Sequence, residues 1–278
     1  FDDTGEGWAR LRQKLIDQVG ADLSRVAVSV ETRNGPAVER LLEMGCCVYP
    51  VNPKAAQSYR ERKSPFGGRN DRLDAWSFAD GLRTDGHGWQ SLKPDDPITQ
   101  ELRMLCRDEV ALIEQRTAFV CQLRQALHEY YPAALEAFDD WLNLSSWAFV
   151  EAFPTPAVLV KAGKRRWEKF LHVHRVAHPA TYQKRLDIFA RADQFCGSQA
   201  VTNAKSRLAM TLVSQLRVLE KHLKEYRQAI EAMFARHPDH DVFGSLPGAK
   251  GKLAPRLLSE FGQQRDRFPT AQAIQCYA

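Results

Sequence analysis

At 278 residues, 44% of them hydrophobic and 26% charged, the chain is long enough to bury a core and too apolar to be disordered throughout. Its formal net charge of +5 permits nucleic-acid binding without requiring it. No transmembrane-length apolar run and no secretory signal is visible, and the six cysteines show no CxxC spacing, so a soluble protein of a reduced, cytoplasmic compartment is expected.

In chain order, residues 5–19 are expected to form a helix with Trp8, Leu11, Leu15 and Val19 on one face. A strand over 25–31, a helix over 36–44 and a strand over 46–51 then make a β-α-β unit. Cys46 and Cys47 are strand neighbours, so at most one of them faces the core. Residues 54–69 read as a polar, basic loop carrying Lys54, Arg60, Arg62, Lys63 and Arg69, with Gly67-Gly68 near its end. Beside a phosphate-handling site such a loop could steer phosphates; otherwise it is a solvated surface segment. A helix from Asn70 to about Arg83 is expected to bury Leu73 and Trp76, with Phe78 beside them, before Asp85-Gly86 and Gly88 end it. A first α/β domain is expected to span 1–90.

Three carboxylates in this stretch stand out. Glu31 closes the run Val26-Ala27-Val28-Ser29-Val30, at the strand end where open α/β sheets place ligands. Asp71 and Asp74, three apart, face the same way on a helix. Magnesium takes carboxylate oxygens and keeps several waters, so acids converging from two elements suit a Mg²⁺ site for phosphodiester chemistry. The other reading of Asp71 and Asp74 is an ordinary helix start, where acids favour the N-terminal dipole.

Pro94 and Pro97 mark a junction, and a helical domain is expected over 91–240. From Ile98 to Tyr131 there is no Pro or Gly, and Leu105, Leu112, Phe119 and Ala126 recur every seventh residue. Leu102, Ile113, Val120, Leu123 and Leu127 widen that stripe. Leu212, Leu216, Leu219, Leu223, Tyr226, Ile230 and Met233 alternate four and three apart, as a coiled-coil seam does. The two helices are expected to pair, within one chain or across a dimer or higher homo-oligomer.

Between them, an insertion over 132–195 holds the densest basic and aromatic cluster: Lys161, Lys164, Arg165, Arg166, Trp167, Lys169, Phe170, His172, His174 and Arg175. Cations for phosphates beside rings for bases suit RNA or a single strand. Alternatively Trp167, Phe170 and Leu171, at helical spacing, are core and the charges a wet face. His172, His174 and His178 have no cysteine or acid at zinc-ligand spacing. The last segment, 241–278, opens with Gly244-Ser245-Leu246-Pro247-Gly248-Ala249-Lys250-Gly251-Lys252 ahead of a helix from Leu253 to Phe261. Lys250 and Lys252 there could hold a phosphate at the helix start, or the turn is a plain junction; it is not a Walker loop, since the Lys-Ser/Thr ending is absent.

The order strand–Glu31, helix, Gly45, strand, Val51-Asn52-Pro53, loop, Asp71-Arg72-Leu73-Asp74-Ala75 resembles the bacterial insertion-sequence transposases of the Asp-Glu-Asp-Asp class. A second match, Leu246-Pro247-Gly248-Ala249, Leu257 to Gly262, Arg267-Phe268-Pro269-Thr270 and Cys276-Tyr277-Ala278, is similar to the start of that family's C-terminal transposase domain. The resemblance implies an RNase H-like (RuvC-like) α/β domain over 1–90, a helical domain over 91–240 and the start of the transposase domain over 241–278. It implies Mg²⁺ held by Glu31, Asp71 and Asp74, with the family's first Asp on a preceding strand and its nucleophilic serine after Ala278, both expected to lie outside the chain.

The implied function is RNA-guided DNA recombination, with a structured non-coding bridge RNA selecting target and donor DNA by base pairing. As it stands the chain is expected to bind nucleic acid without recombining DNA. Two other readings remain: a resolvase-like nuclease that cuts branched DNA through metal-activated water, and a non-catalytic nucleic-acid scaffold whose acids merely cap helices.

Overall fold

The computed structural model describes residues 2–33, 35–63, 70–93, 95–194, 196–249, 251–263, 266 and 268–277. They form two compact units, Phe1–Asp96 with Gln263–Ala278, and Pro97–Gly262.

In the first unit, α1 (Gly5–Val19) starts where Thr4 Oγ1 accepts from the Gly7 N–H at 3.1 Å and stops at Gly20, whose φ of 87° favours glycine. Trp8 is buried, and Leu11, Leu15 and Val19 pack on the same cluster, so the expected apolar face is the buried one. A 3-10 turn, Leu23–Arg25, leads into β1 (Ala27–Val30), which runs through α2 (Pro36–Glu43) to β2 (Cys47–Pro50). The strands are parallel, in register from Ala27 opposite Cys47 to Val30 opposite Pro50, as a helical crossover requires. Among the described residues the sheet has two strands, with Val48 fully buried against Trp8, Val38 and Leu41. Cys46 enters this core, while the Cys47 thiol donates to the Ser24 carbonyl at 3.2 Å, so one thiol of the neighbouring pair faces inward.

The basic segment after β2 is not a loop over its described part: α3 spans Pro53–Lys63. Asn52 Oδ1 accepts from the Lys54 N–H at 2.8 Å and Pro53 takes the first helical position, where its missing N–H costs nothing. The polar composition hid this, because one face of α3 buries Ala56 alone while the rest is wet. The following helix, α4 (Asp71–Asp85), is capped by Asn70, whose Oδ1 accepts from Leu73 N at 2.7 Å. Phe78, Ser77 and Gly81 are its buried positions. Trp76, expected inside, is 54% exposed, and Lys63 Nζ stands 4.3 Å from its ring centroid. Helices α3 and α4 approach closely at Gly81, where a Cβ would stand 3.0 Å from the Tyr59 ring.

The second unit is helical. Its frame is α5 (Pro97–Tyr130), after which come α6 (Pro132–Ala137), α7 (Leu144–Ala152), α8 (Pro156–Ala162), α9 (Lys164–Val173) and α10 (Pro179–Ala190). Helix α11 (Gln199–Ala235) returns along α5, followed by α12 (His240–Gly244) and α13 (Leu253–Phe261); α14 (Ala271–Tyr277) lies in the terminal segment grouped with the first unit. Lys205 meets Glu129 at 2.7 Å, Arg116 meets Glu220 at 2.8 Å and Arg227 meets Glu109 at 3.1 Å, so α5 and α11 run antiparallel as a hairpin within one chain.

The α5 seam buries Ala126 of the every-seventh stripe and Leu102, Val120, Leu123 and Leu127 of its widening, with Cys106 and Tyr130 beside them, while Leu105, Leu112, Ile113 and Phe119 are half-buried. The same three-and-four spacing puts Glu109 and Arg116 in the seam, which charge had kept out of the apolar pattern. At one end of the hairpin, α6 to α10 close an aromatic core around Trp141, Trp147 and Phe149. At the other, α12 and α13 cover Leu102, Cys106, Ile230 and Phe234.

Candidate active site and basic surface

Glu31, directly after β1, and Asp74, in the first turn of α4, reach the same group. Arg60, near the end of α3, donates through Nη2 to Glu31 Oε1, and its Nε lies 3.6 Å from Asp74 Oδ1. The local sequence explains the meeting. Parallel pairing ends β1 at Val30 and places Glu31 at the strand's C-terminal edge. The Asn70 cap fixes where α4 begins, and the Asn52-Pro53 start of α3 sets which turn carries Arg60. The guanidinium also lies over Phe78, 5.4 Å from the ring centroid.

Asp71 occupies the first residue of α4, one turn before Asp74, and is exposed. Among the described residues no three acids, histidines or cysteines are already gathered as a metal cage. The two that do converge nevertheless suit a cation, because one is already held between them. Asp74 Oδ1 is shut off from solvent and accepts no hydrogen bond, which leaves an acceptor ready for a ligand. Hard carboxylate oxygens are the donors Mg²⁺ prefers.

A neighbouring carboxylate behaves differently. Asp80 is held by Lys63 and Arg83, each at 2.7 Å, and hydrogen bonds from Lys63 first and Arg83 second keep its pKa at about 2. It ties α3 to α4. Arg60 and Lys63, read from sequence as members of a phosphate-steering loop, are thus engaged between helices, while Lys54 and Arg62 remain exposed. Arg69 and Lys250 lie outside the described residues.

In the second unit Trp167 is no stacking platform. It is 7% exposed, its Nε1 donates to the Leu159 carbonyl at 2.7 Å, and its ring packs edge-on against Phe189. Phe170 and Leu171 are buried with it, so the aromatic half of the expected surface is core. The basic side chains remain outside: Lys161, Lys164, Arg165, Arg166, Lys169 and Arg175 are all exposed, as is His172. Lys164 reaches Glu168 at 3.9 Å, whereas Lys161, Arg165, Arg166 and Lys169 have no ion pair among the described residues. Lys252, just before α13, is also exposed.

Sequence reasoning missed a second charged cluster. Glu109, in the α5 seam, is only 3% exposed and accepts from Arg227 at 3.1 Å and Arg256 at 2.8 Å. Burial pushes its carboxyl up, but the bonds from Arg256 and Arg227 outweigh burial and leave it below the usual range. Arg103 Nε donates to the Ser259 carbonyl at 2.7 Å and Arg107 pairs with Glu260 at 3.1 Å, so α13 is pinned to α5 by polar contacts along its length. A glutamate falling on the apolar register of α5 was the available signal.

No helix among the described residues is long and apolar enough to cross a membrane. A family model described as a transposase, of the Asp-Glu-Asp-Asp type of IS110 elements, matches residues 1–132. A protein carrying the name of a mini-circle transposase for IS117, from Streptomyces coelicolor, is 30% identical over 281 residues, covering 99% of this chain and 68% of the relative. One named as transposase y4uE, from Sinorhizobium fredii, is 33% identical over 181 residues, 63% of this chain and 49% of its own length. A 44.8 kDa protein of insertion element IS116, from Streptomyces clavuligerus, is 26% identical over 196 residues, 70% of this chain and 47% of its own length. With residues 1–132 matching the family model and 99% of its length aligning to the IS117 relative at 30% identity, the chain belongs to the IS110 family of insertion-sequence transposases.

Proposed function

We propose that this chain contributes the metal-binding half of a DNA recombinase in which an RNase H-like site cleaves and exchanges strands. The carrying observation is that Glu31 and Asp74, from different elements, meet at one cationic group beside the C-terminal end of a parallel strand. Glu31 and Asp74, joined by Asp71 from the same face of α4, would hold Mg²⁺. Bound there, the ion would stabilise charge developing on phosphate oxygens. The carboxylates orient the site from rigid supports: Glu31 from the sheet edge, Asp74 from a capped helix. Covalent attack on DNA would fall to a serine nucleophile, as the family resemblance implies.

The exposed cations of α8 and α9 support a nucleic-acid surface that reads backbone rather than base faces, because the rings between them are buried. A structured bridge RNA, pairing with target and donor DNA, is the partner this reading assigns, and an assembly of several protomers would supply more than one active site.

The test is to express the full-length protein with its flanking non-coding DNA and to sequence the RNA that copurifies. A discrete structured RNA from the flank, with strand exchange lost in Glu31→Gln and Asp74→Asn, is the expected result. Absence of any specific RNA, with cutting of branched DNA and no rejoining, would replace it with the resolvase reading.

A further inference from the structure

Among the described residues, Arg60 is the one side chain that both converging carboxylates reach. It is 20% exposed, with its guanidinium over Phe78. Yet the fit is uneven. The bond to Glu31 is made, whereas toward Asp74 the separation of 3.6 Å is an ion pair without a hydrogen bond. Arg60 Nε and Asp74 Oδ1 are both closed to solvent and both lack a hydrogen-bond partner. A guanidinium paired with a carboxylate frequently makes two parallel bonds to it. Here it is stretched between two carboxylates and satisfies one of them.

We propose that Arg60 is a built-in counter-ion that competes with a divalent cation for Glu31 and Asp74, so that metal entry and withdrawal of Arg60 are a single exchange. The idea rests on the metal-site reading above. Two acids near one point repel when bare, and Arg60 offsets part of that repulsion in the metal-free protein. Magnesium binds carboxylate oxygens at about 2.0–2.1 Å, along lone pairs that the guanidinium N–H groups also use. A guanidinium and a divalent cation cannot share those oxygens without strong repulsion. Arg60 can leave because it hangs by a long side chain from the last turns of α3, with a solvent-facing side. Arg60 is in this sense a positioning residue: it keeps Glu31 and Asp74 together and vacates the space when the metal arrives.

Calorimetric titration of Mg²⁺, and of Mn²⁺ as a second probe, into the 278-residue chain tests this, with melting temperatures taken with and without metal. Arg60→Gln keeps part of the stem over Phe78 and removes the charge; Arg60→Lys keeps the charge without the fork. The counter-ion role predicts that Arg60→Gln binds Mg²⁺ about two- to fivefold tighter, the ratio expected for loss of a partly exposed ion pair. It also predicts that metal-free Arg60→Gln melts lower and regains more on adding Mg²⁺, with Arg60→Lys between it and the unsubstituted chain on both readouts. Should Arg60→Gln not fold, the Lys variant alone must still bind tighter. Unchanged or weaker metal binding in the folded variants overturns the proposal. The double variant Glu31→Gln with Asp74→Asn separates the two ideas. If it abolishes binding while Arg60→Gln changes nothing, only the counter-ion role fails. If no metal binds, or binding survives the double variant, the metal site and the counter-ion role fall together.

Discussion

Glu109 and the pair Glu31 with Asp74 are two carboxylate–guanidinium clusters built on opposite ratios. Glu109 is one acid held by two arginines, buried in a helix seam, with each oxygen accepting a bond. Glu31 and Asp74 are two acids sharing one arginine at a strand end, with one buried oxygen unsatisfied. A saturated acid in the interior fixes how helices register against each other. An under-satisfied pair at a sheet edge leaves a cation's place open to exchange. Partner count, more than burial, separates the two clusters.

Breaking the saturated cluster should cost the most. Glu109→Ala strands Arg227 and Arg256 and is expected to destabilise the protein by about 2–4 kcal/mol, less than a fully buried pair because both arginines can turn toward water. Urea unfolding followed by helical circular dichroism measures it. The same cluster has a pH signature. A carboxyl depressed in the folded state stabilises above its unfolded pKa and loses that contribution as pH falls through the folded value. The urea midpoint of the native chain should therefore drop more steeply below the usual carboxylate range than that of Glu109→Gln.

Within α9 the contrast is between ring and charge. Trp167→Phe removes the Leu159 bond and part of the core packing, and is expected to cost about 1–2 kcal/mol in the same unfolding experiment without a selective change in nucleic-acid affinity. At the strand-end pair, Glu31→Gln with Asp74→Asn should move stability by less than about 1 kcal/mol, since both acids keep a side toward water, while strand cleavage by the full-length protein disappears. Smallest in stability is the joint replacement of Arg165, Arg166 and Lys169 by Ala, within about 0.5 kcal/mol. Its effect should appear instead as a shallower salt dependence of nucleic-acid binding, by about one unit of slope for each phosphate no longer neutralised.

Much of this was written plainly in the sequence. Short apolar runs and three-four spacing located α1, the β-α-β unit and both long helices, because apolar spacing is what those elements bury. The helix over Pro53–Lys63 was hidden, since its signal is a cap, Asn52-Pro53, rather than a stripe. Trp76 misled in the other direction: helical spacing allowed burial, but the face it occupies meets Lys63 instead of a core. At the candidate site the acids were legible as types and spacings. Arg60 was legible only as a basic residue, because its meeting with Glu31 depends on how a strand end and two helices pack. Glu109 was invisible to hydrophobic counting, which passes over a charge even when it falls on the register.

The antiparallel hairpin is also a ruler. The C-terminal end of α13 docks at Arg107, whereas the core beneath the basic face of α9 packs around Leu127. The twenty residues from Arg107 to Leu127 span about 30 Å of helix axis at 1.5 Å per residue. A duplex rising 3.4 Å per base pair covers that length in roughly nine pairs, close to one full turn. A double-stranded nucleic acid touching both ends of the hairpin would have to run that length, and duplexes much shorter could reach only one.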